Sequence, residues 1–479
     1  MTVTVAQPRR ERERERELEP LSPAQRLEAL CDPGSFRPLR TAVVSLRAGE
    51  KARPGDGVLA GAGSVGGRPV FCYSEDPGFM GGSLGEEHAE TIVSVMRLAG
   101  RAGAPVVGFV ESGGARLQEG HAALAGYGRI FRESVALQGR VPQVSIVTGV
   151  SAGGGSYSPA LTDFVVMTER ARMFLTGPRV VREALGEEVS MTELGGPDVH
   201  ARNGVCHLLA SDERDAARQA RDLLAHLPAP FGTTAPRACP TRPEADPSAT
   251  VPLQTRRVYD VREVIAALAD GGESLEIAPD WARNMVTALA RIDGRPVGVI
   301  ANQPRHLGGV IDTVAAEKGA LFVADCDRFG LPLIALVDTP GFMPGVRQES
   351  AGVIRRGADL LSAFAAARVP RLTVVLRKAY GGAVITMNSK GLGADMVFAW
   401  PQAEIGIMAA GQAVGIVHRR ALAEADGQGE GLLEELSSAY AAEHLTADAA
   451  ASNGFVDEVI DPRDTHDRLA WALSSLEGR

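Results

Sequence analysis

The stretch VPQVSIVTGVSAGGGSYSPAL at residues 141–161 returns later in the chain as VPRLTVVLRKAYGGAVITMN at residues 369–388. Each copy starts with an apolar run rich in valine, passes through adjacent glycines, and resumes a pattern that favours a helix. An apolar run without alternation predicts a strand buried on both faces, as in a parallel sheet covered by helices. The two copies therefore predict two equivalent strand–turn–helix units.

The two halves also correspond outside this stretch. GAPVVGFVES (103–112) matches GLPLIALVDT (330–339), and Asp163-Phe164-Val165 matches Asp395-Met396-Val397. The offset between equivalent residues grows only from 227 to 232 along the chain. Such a constant offset indicates duplication of one unit, and alternating strands and helices place that unit in the α/β class. In the first half we predict strands at Val106–Val110, Val144–Val147, Phe164–Met167 and Met173–Leu175, and helices at Glu86–Ala102 and His121–Leu137.

The domain boundaries follow from composition. Residues 9–17 read RRERERERE, and such alternating charge is typical of a solvated arm, which we place at residues 1–20. Residues 227–256 carry five prolines within Pro228–Pro243 and lose apolar periodicity, so they predict a linker. The N-terminal domain then spans 21–226 and the C-terminal domain 257–479.

Composition excludes several functions. The formal net charge is −9, and no basic patch is interleaved with aromatic residues, so nucleic acid is not expected as a partner. No apolar run approaches about 18 residues, so no membrane span is predicted. The five cysteines are scattered without a C-x-x-C pair, which disfavours a zinc ribbon or a disulfide framework and favours a reducing, cytoplasmic compartment.

The glycine turns are the candidate catalytic elements. A turn between a buried strand and a helix leaves N–H groups unpaired at the helix N-terminus, and small residues let a ligand oxygen approach them. Two such turns at matching positions predict two oxyanion holes, although a lone Gly-Gly turn is more often plain turn chemistry. The predicted donors are the amides of Gly154, Gly155, Gly382 and Ala383, with a register uncertainty of one residue in each turn.

A second glycine-rich loop, ESGGARLQEG (111–120), follows a predicted parallel strand at the end where α/β folds place ligands. Arg116 within it has two interpretations. It meets a phosphate of an anionic ligand, or it pairs with Glu119 or another acidic side chain at the surface. No hydrolase constellation stands out and the chain contains no His–Glu metal motif, so no hydrolase triad and no metal site is predicted. Glu111 and Asp338 end equivalent strands, and we expect them to orient the glycine loops rather than to exchange protons.

With these motifs in place, the sequence resembles the carboxyltransferase β subunits of propionyl-CoA and acetyl-CoA carboxylases. The similarity runs in order from about Leu21 to about Leu476. The N-terminal motifs are GGSLGEEH (81–88), ESGGARLQEG (111–120), SAGGGSYSPALTDFV (151–165) and MFLTGP (173–178). The C-terminal motifs are RIDGRPVGVIANQP (291–304), DTPGFMPGVRQE (338–349), RKAYGGA (377–383), SKGLGAD (389–395) and FVDEVIDP (455–462).

The resemblance implies a fold of two tandem crotonase-like domains, of which the first binds the acyl-CoA thioester and the second binds carboxybiotin. It also implies that carboxybiotin arrives on a separate biotin carboxylase/biotin carboxyl carrier subunit, and that the chain assembles as a hexamer, a trimer of dimers. Negative charge develops on the thioester oxygen and on the biotin ureido oxygen, so Gly154 and Gly155 serve the first and Gly382 and Ala383 the second. No metal is implied. The substrate-binding residues are then Gly113, Gly114, Ala115, Arg116, Gly153, Tyr157, Gly381 and Ile385.

Some positions depart from the family. Ile385 lies where the family varies between Asp and aliphatic residues beside the acyl chain, which favours short chains such as acetyl and propionyl. Asn388 replaces a usual Gly or Ser, and Ser151 replaces a common Cys. Residues 419–446 match poorly, which bears on hexamer contacts and carrier docking.

Three functions fit the sequence. The leading one is a carboxyltransferase that converts acetyl-CoA or propionyl-CoA to malonyl-CoA or methylmalonyl-CoA. The second runs related chemistry as a biotin-dependent acyl-CoA decarboxylase or a transcarboxylase. The third is a non-catalytic assembly subunit, which the glycines in both turns disfavour because unused glycine is costly in chain entropy.

Overall fold

The computed structural model describes residues 20–425 and 429–477, so nearly all of the predicted charged arm at 1–20 lies outside the described residues. The described chain forms two compact units, each built on one sheet. Unit 1 runs to Ala225 and includes Ala229–Phe231, whereas unit 2 takes His226–Pro228 and continues from Gly232. The division falls beside the start of the predicted linker at 227–256, and the finer domain boundaries remain a prediction.

The sheet of unit 1 has eight strands in the order β1-β2-β3-β4-β5-β6-β8, and β7 pairs with β5. The pairs β1–β2 and β2–β3 are antiparallel, and the remaining pairs are parallel. The strands are β1 Arg37–Leu39, β2 Val58–Val65, β3 Arg68–Glu75, β4 Val106–Ser112, β5 Gln143–Ala152, β6 Phe164–Thr168, β7 Arg172–Phe174 and β8 Leu208–Ala210.

Unit 2 repeats this topology. Its eight strands follow the order β9-β10-β11-β12-β13-β14-β16, and β15 pairs with β13 as β7 pairs with β5. The strands are β9 Ser274–Glu276, β10 Met285–Ile292, β11 Arg295–Asn302, β12 Leu333–Thr339, β13 Arg371–Tyr380, β14 Met396–Ala399, β15 Glu404–Gly406 and β16 Glu458–Val459. The predicted duplicated α/β fold with a largely parallel sheet is confirmed.

Helices connect the strands in both units. The predicted helices Glu86–Ala102 and His121–Leu137 are confirmed at both ends, whereas the predicted strand Met173–Leu175 lies one residue earlier, at Arg172–Phe174. In unit 1 the helices are α1 Pro23–Leu30, α2 Glu86–Ala102, α3 His121–Leu137, α4 Gly154–Ala160, α5 Pro178–Leu185, α6 Met191–Gly195, α7 Pro197–Asn203 and α8 Glu213–His226. Those that follow are α9 Val261–Leu268, α10 Thr313–Phe329, α11 Val346–Ser350, α12 Val353–Ala366, α13 Gly382–Thr386, α14 Ala410–Val417, α15 Arg419–Glu424, α16 Gly429–His444, α17 Ala447–Ser452 and α18 Thr465–Ser475.

The central strands are buried because they are apolar on both faces. Most residues of β4, β5, β12 and β13 are buried, as expected for parallel strands covered by helices. Two glycines permit a close backbone approach at the ends of these strands. A Cβ at Gly82 would overlap the Glu111 carbonyl oxygen, and a Cβ at Gly309 would overlap the Asp338 carbonyl oxygen.

The proline-rich segment is more than a linker. Apart from a short 3₁₀ turn at Pro247–Ala249 it has no helix or strand, as its prolines predict. Its later part nevertheless packs on unit 2, because the Pro236 carbonyl oxygen accepts a hydrogen bond of 2.7 Å from Arg291. Val251 is buried in the same apolar core as the strands of unit 2. Burial of this kind is a tertiary property that composition alone did not reveal.

Candidate active site

The turn between β5 and α4 leaves two amides without a protein acceptor. The Gly153 N–H donates to the Phe174 carbonyl oxygen at 3.1 Å, and the Ser156 N–H donates to the Gly153 carbonyl oxygen at 3.1 Å. Between them, the N–H groups of Gly154 and Gly155 donate to no acceptor within residues 20–425 and 429–477. These two amides open α4 and carry the partial positive charge of a helix N-terminus.

The turn between β13 and α13 repeats this arrangement. The Gly381 N–H donates to the Gly406 carbonyl oxygen at 2.9 Å, and the Val384 N–H donates to the Gly381 carbonyl oxygen at 3.2 Å. The amides of Gly382 and Ala383 have no acceptor in the described part of the chain. The hydrogen bonds therefore make Gly381 the counterpart of Gly153.

Both turns depend on a glycine at their first position. Gly153 has φ 60° and ψ −123°, and Gly381 has φ 63° and ψ −149°. A side chain is strained in this region of φ/ψ space, whereas glycine enters it freely. Each glycine directs the chain from its strand into the helix start, which aims the next two amides outward.

The hydroxyl groups of two serines stabilise the unit 1 turn through hydrogen bonds. The Ser156 hydroxyl donates to the carbonyl oxygens of Ser151 at 2.8 Å and Phe174 at 2.7 Å. The Ser151 hydroxyl donates to the Gly155 carbonyl oxygen at 2.8 Å. The Tyr127 ring covers Gly154, because a Cβ there would lie 2.8 Å from Tyr127 Cδ2. The turn is therefore supported from several sides, whereas its two amides have no protein partner among the described residues.

The unit 2 turn instead borders a cavity of about 900 Å³. Gly381, Gly382 and Ile385 line the cavity beside the turn, and Tyr440 and His444 of α16 line it farther along the chain. Its wall is mainly apolar, and the side chain of Ile385 is exposed. An apolar cavity with a few converging polar groups is the usual form of a small-molecule site.

A second loop lies against each turn. Gly114 has φ 98°, and a Cβ there would lie 3.5 Å from the Ala152 carbonyl oxygen, just before the unit 1 turn. In unit 2, Gly341 lies at the equivalent position, where a Cβ would be 4.0 Å from the Tyr380 carbonyl oxygen. The loop of unit 1 is anchored to a neighbouring turn, since the Gly113 N–H donates to the Gly81 carbonyl oxygen.

Within that loop, Arg116 is committed to the protein's own acids. Its side chain is fully buried, and Nη1 lies 2.7 Å from Asp56 Oδ1 and 2.8 Å from Glu119 Oε1. Nη2 donates to the Ser83 carbonyl oxygen at 3.0 Å. The structure favours the pairing interpretation over the phosphate interpretation, and it corrects the expected surface location. Neighbouring Ala115 is half-buried and forms a bridge with Leu84.

Glu111 and Asp338 are both held by buried arginines. Arg26 of α1 lies 2.6 Å from Glu111 and 2.7 Å from Glu213. In unit 2 the arginine comes from β13, and Arg377 lies 3.0 Å from Asp338. Charge-assisted pairs of this kind fix the strand ends from which the two loops start.

Two further positions from the sequence are also placed by the structure. Tyr157 lies in α4, two residues beyond Gly155, and is exposed, with its ring edge-on to Phe131. Asn388 has φ 61°, a region that favours glycine and tolerates asparagine, and its side chain donates to the Thr373 hydroxyl at 2.9 Å.

Sequence reasoning missed the residues behind the turns. Ser151 was noted only as a departure from the family, and Ser156 and Tyr127 were not assigned any role in supporting the turn. The two serines that flank the small residues of SAGGGS (151–156) were the available signal for the hydroxyl groups. The cavity-lining helix α16 was missed because it lies within residues 419–446, which match the family poorly.

Two further features concern the whole described chain. Within residues 20–425 and 429–477, no group of His, Cys, Asp and Glu side chains is arranged to hold a metal ion. No helix in the same residues is long and apolar enough to cross a membrane. The predicted absence of a metal remains a prediction.

Two units of the same α/β topology, each with an equivalent amide pair, are in keeping with what the comparisons with known proteins show. Residues 15–478 match the family described as the carboxyl transferase domain. The chain belongs to this family, and within it to the biotin-dependent acyl-CoA carboxyltransferases.

Individual relatives cover almost the whole chain. The biotin-dependent acetyl-/propionyl-coenzyme A carboxylase beta5 subunit of Mycobacterium tuberculosis is 45% identical, over 95% of this chain and 87% of that protein. The methylmalonyl-CoA decarboxylase subunit alpha of Veillonella parvula is 42% identical, over 95% of this chain and 90% of that protein. A crystal structure of transcarboxylase 12S, a hexamer with methylmalonyl-coenzyme A bound, superposes with a TM-score of 0.91 at 43% identity, covering 97% of this chain and 91% of that one.

Proposed function

We propose that this protein transfers a carboxyl group from carboxybiotin, carried by a separate protein, to the α-carbon of a short-chain acyl-CoA. Acetyl-CoA and propionyl-CoA are the proposed acceptors, and malonyl-CoA and methylmalonyl-CoA the products. The observation that carries the proposal is the pair of equivalent turns, each offering two amides without a protein acceptor among the described residues. A reaction with charge developing on two different oxygens requires two such sites.

The unit 1 turn acts on the thioester. The amides of Gly154 and Gly155 donate to the thioester oxygen, which becomes negative as the α-carbon loses its proton. Because the hydroxyls of Ser151 and Ser156 already fix the turn, the donors need little reorganisation when charge appears. Gly113, Gly114 and Ala115 form the adjacent edge of the proposed acyl-CoA site, and Tyr157 lies next to the turn in α4.

The unit 2 turn acts on the biotin ureido oxygen through the amides of Gly382 and Ala383. Carboxybiotin supplies the carboxyl group and, after its loss, the base that accepts the α-proton. The residues fit such a ring system, because two unpaired amides stand at the wall of a mainly apolar cavity beside Gly381 and Ile385. Ile385 presents an aliphatic surface there, which supports an apolar acyl group and disfavours a charged one.

We assign no proton transfer to Glu111 or Asp338, because each is held in an ion pair with a buried arginine. Arg116 is assigned a positioning role, since its guanidinium binds Asp56 and Glu119 and supports the loop from within. The proton donors and acceptors of the reaction are therefore substrate atoms, and the chain contributes backbone amides and shape.

Partners follow from the same chemistry. The protein needs a biotin carboxylase/biotin carboxyl carrier subunit to deliver carboxybiotin, and we propose that it assembles as a hexamer, as transcarboxylase 12S does. The scattered cysteines, which are thiols and not disulfides, support a cytoplasmic location.

A second candidate function uses the same two turns for the reverse reaction. The decarboxylase named among the relatives supports a biotin-dependent decarboxylase, and the transcarboxylase supports transfer between two CoA esters. A non-catalytic assembly subunit is disfavoured, because neither amide pair has a protein acceptor within the described residues.

The test is reconstitution. The purified protein is mixed with a biotin carboxylase–carrier subunit, ATP, bicarbonate and a panel of acyl-CoAs, and products are read by mass spectrometry. We expect addition of one carboxyl group to acetyl-CoA or propionyl-CoA. Consumption of malonyl-CoA or methylmalonyl-CoA with biotin and without ATP would favour the decarboxylase. No carboxylation of any short acyl-CoA with several carrier partners would contradict the proposal.

A further inference from the structure

Two thiols face each other inside unit 1. Cys31, which directly follows α1, has its Sγ 3.8 Å from the Sγ of Cys72 in β3. Cys72 is fully buried and Cys31 is 4% exposed. The other three cysteines, Cys206, Cys239 and Cys326, are also thiols rather than disulfides. The contact is between residues 41 positions apart, so the fold and not local sequence brings the thiols together.

The surroundings hold Cys31 in place. A Cβ at Gly63 would lie 2.6 Å from Cys31 Sγ, so only glycine there leaves room for the thiol. On one side Arg26 anchors α1 to Glu111 and Glu213. On the other side Asp32 accepts the N–H of Gly67 at 2.9 Å. The two anchors restrict movement of Cys31 relative to the sheet, which favours reaction with its neighbour.

The two thiols differ chemically. The hydrogen bond with Cys72 lowers the pKa of Cys31, and Arg221 lowers it further, against the opposing effects of burial and of Asp32. The hydrogen bond with Cys31 and burial together raise the pKa of Cys72 well above its ordinary value. Because the thiolate is the nucleophile, Cys31 is the thiol expected to react first. Both thiols are buried, and only Cys31 keeps a small exposed fraction through which an oxidant as small as peroxide can reach the pair.

We propose that Cys31 and Cys72 are an oxidation site for peroxide, at which a reversible disulfide ties α1 to β3. The Cys31 thiolate attacks one oxygen of hydrogen peroxide, which gives a sulfenic acid and releases the other oxygen as hydroxide. The proton that the thiol lost converts this hydroxide to water. The Cys72 thiol then attacks the Cys31 sulfur, forms the S–S bond and releases a second water. The two thiols lose two electrons, and the peroxide gains them. A cellular dithiol reductant reverses the step by thiol–disulfide exchange.

The bond closes a loop from the end of the first helix to the middle of the sheet. A crosslink of this kind stabilises a protein mainly by restricting its unfolded chain. The glycine turns lie outside the loop, so we expect carboxyl transfer to continue in the oxidised protein. The disulfide affects stability under oxidative conditions, and it is independent of the proposed function.

The experiment treats the purified full chain with hydrogen peroxide, alkylates remaining thiols under denaturing conditions and maps peptides by mass spectrometry. We expect a crosslinked pair of peptides containing Cys31 and Cys72, while Cys206 and Cys326 are recovered alkylated. The crosslink should disappear after dithiothreitol. The unfolding midpoint of the oxidised protein should rise by at least about 4 °C and return on reduction.

Two variants separate the steps. In Cys72→Ser the sulfenic acid of Cys31 has no partner, so dimedone should label Cys31, whereas wild type should gain the disulfide instead. In Cys31→Ser neither product should form. Cys239, which is exposed, provides an internal measure of peroxide exposure. Alkylation of both Cys31 and Cys72 in wild type, at a peroxide dose that oxidises Cys239, would overturn the proposal.

Discussion

The two glycine turns share a backbone and differ in the side chains behind it. In unit 1 the Tyr127 ring packs against the turn, and the hydroxyls of Ser151 and Ser156 donate to the carbonyl oxygens of Gly155 and Ser151. In unit 2, Gly382 is exposed beside a cavity, and a Cβ there would meet only Phe342, at 4.0 Å. The duplication has therefore preserved the amide donors while the supporting side chains diverged. We infer that packing makes the unit 1 turn rigid and that the unit 2 turn leaves open space for a ligand.

The largest expected effect comes from filling that space. In Gly382→Val the added Cβ at the cavity wall meets only Phe342, at 4.0 Å, so we expect the protein to fold. Carboxyl transfer should fall at least about 100-fold, because a blocked or displaced amide removes stabilisation of the oxyanion. Turnover with the carrier subunit and the unfolding midpoint are measured together.

Gly431→Val is the matched control, because a Cβ at this exposed glycine of α16 has no neighbour within 4 Å. It should keep wild-type turnover. Full activity of Gly382→Val would remove the second oxyanion hole from the proposed function.

The buried ion pairs extend the comparison to stability. In Asp338→Asn, Arg377 and Lys378 both lose their carboxylate partner, and we expect a loss of about 3 kcal/mol in unfolding free energy. In Glu111→Gln, Arg26 keeps Glu213, so the loss should be about 1 kcal/mol. Denaturant titration measures both variants. Equal losses of unfolding free energy in the two variants would show that the second carboxylate partner of Arg26 gives no extra protection.

A smaller effect tests the packing behind the turns. Gly154→Ala places a methyl group against the Tyr127 ring, and this overpacking should cost about 2 kcal/mol. Gly382→Ala, its unit 2 counterpart, should cost less than about 0.5 kcal/mol. Chemical denaturation compares the two. A reversed order would mean that the unit 2 turn is the more tightly packed one.

A buried histidine of unit 1 extends the comparison to acid. His207 accepts the Val165 N–H at 3.0 Å, and burial lowers the pKa of this imidazole from 6.5 to about 4. The unfolded chain therefore binds more protons between those values, so stability present above pH 6.5 is lost as the pH falls towards 4. At the equivalent place in unit 2, Asp457 accepts the Val397 N–H at 2.7 Å.

We therefore expect His207→Asn to flatten the decline of the unfolding midpoint between about pH 7 and pH 5. Asn retains an acceptor for the Val165 N–H. The wild-type midpoint measured over the same range is the reference, and an unchanged decline would assign acid sensitivity to other groups.

Much of the fold could be predicted from the sequence because its signals are local and repeated. Helix Glu86–Ala102 shows apolar periodicity and ends before Gly103, whose φ of 65° suits a left-handed cap. The turns could be located because strand, glycines and helix follow one another without interruption. Their exact register required the hydrogen bonds of Gly153 and Gly381.

Other features depend on distant contacts. Arg116 binds Asp56, which lies 60 residues away, and no pattern around Arg116 announces this partner. The cavity of unit 2 joins the Gly382 turn to Tyr440 and His444, which belong to a helix with little family similarity. Such contacts join residues that lie far apart in the sequence. They therefore cannot be predicted from residue type and spacing.

The proline-rich segment supplies carbonyl oxygens to buried arginines of unit 2. Arg377 donates from Nη1 to the carbonyl oxygens of Pro252, Gln254 and Arg257 as well as binding Asp338. A fragment cut at residue 257 would discard two of these three acceptors and the buried Val251. An expression fragment of the second half should begin before Pro236, so that Arg377 keeps its three carbonyl acceptors and Arg291 keeps the Pro236 carbonyl oxygen.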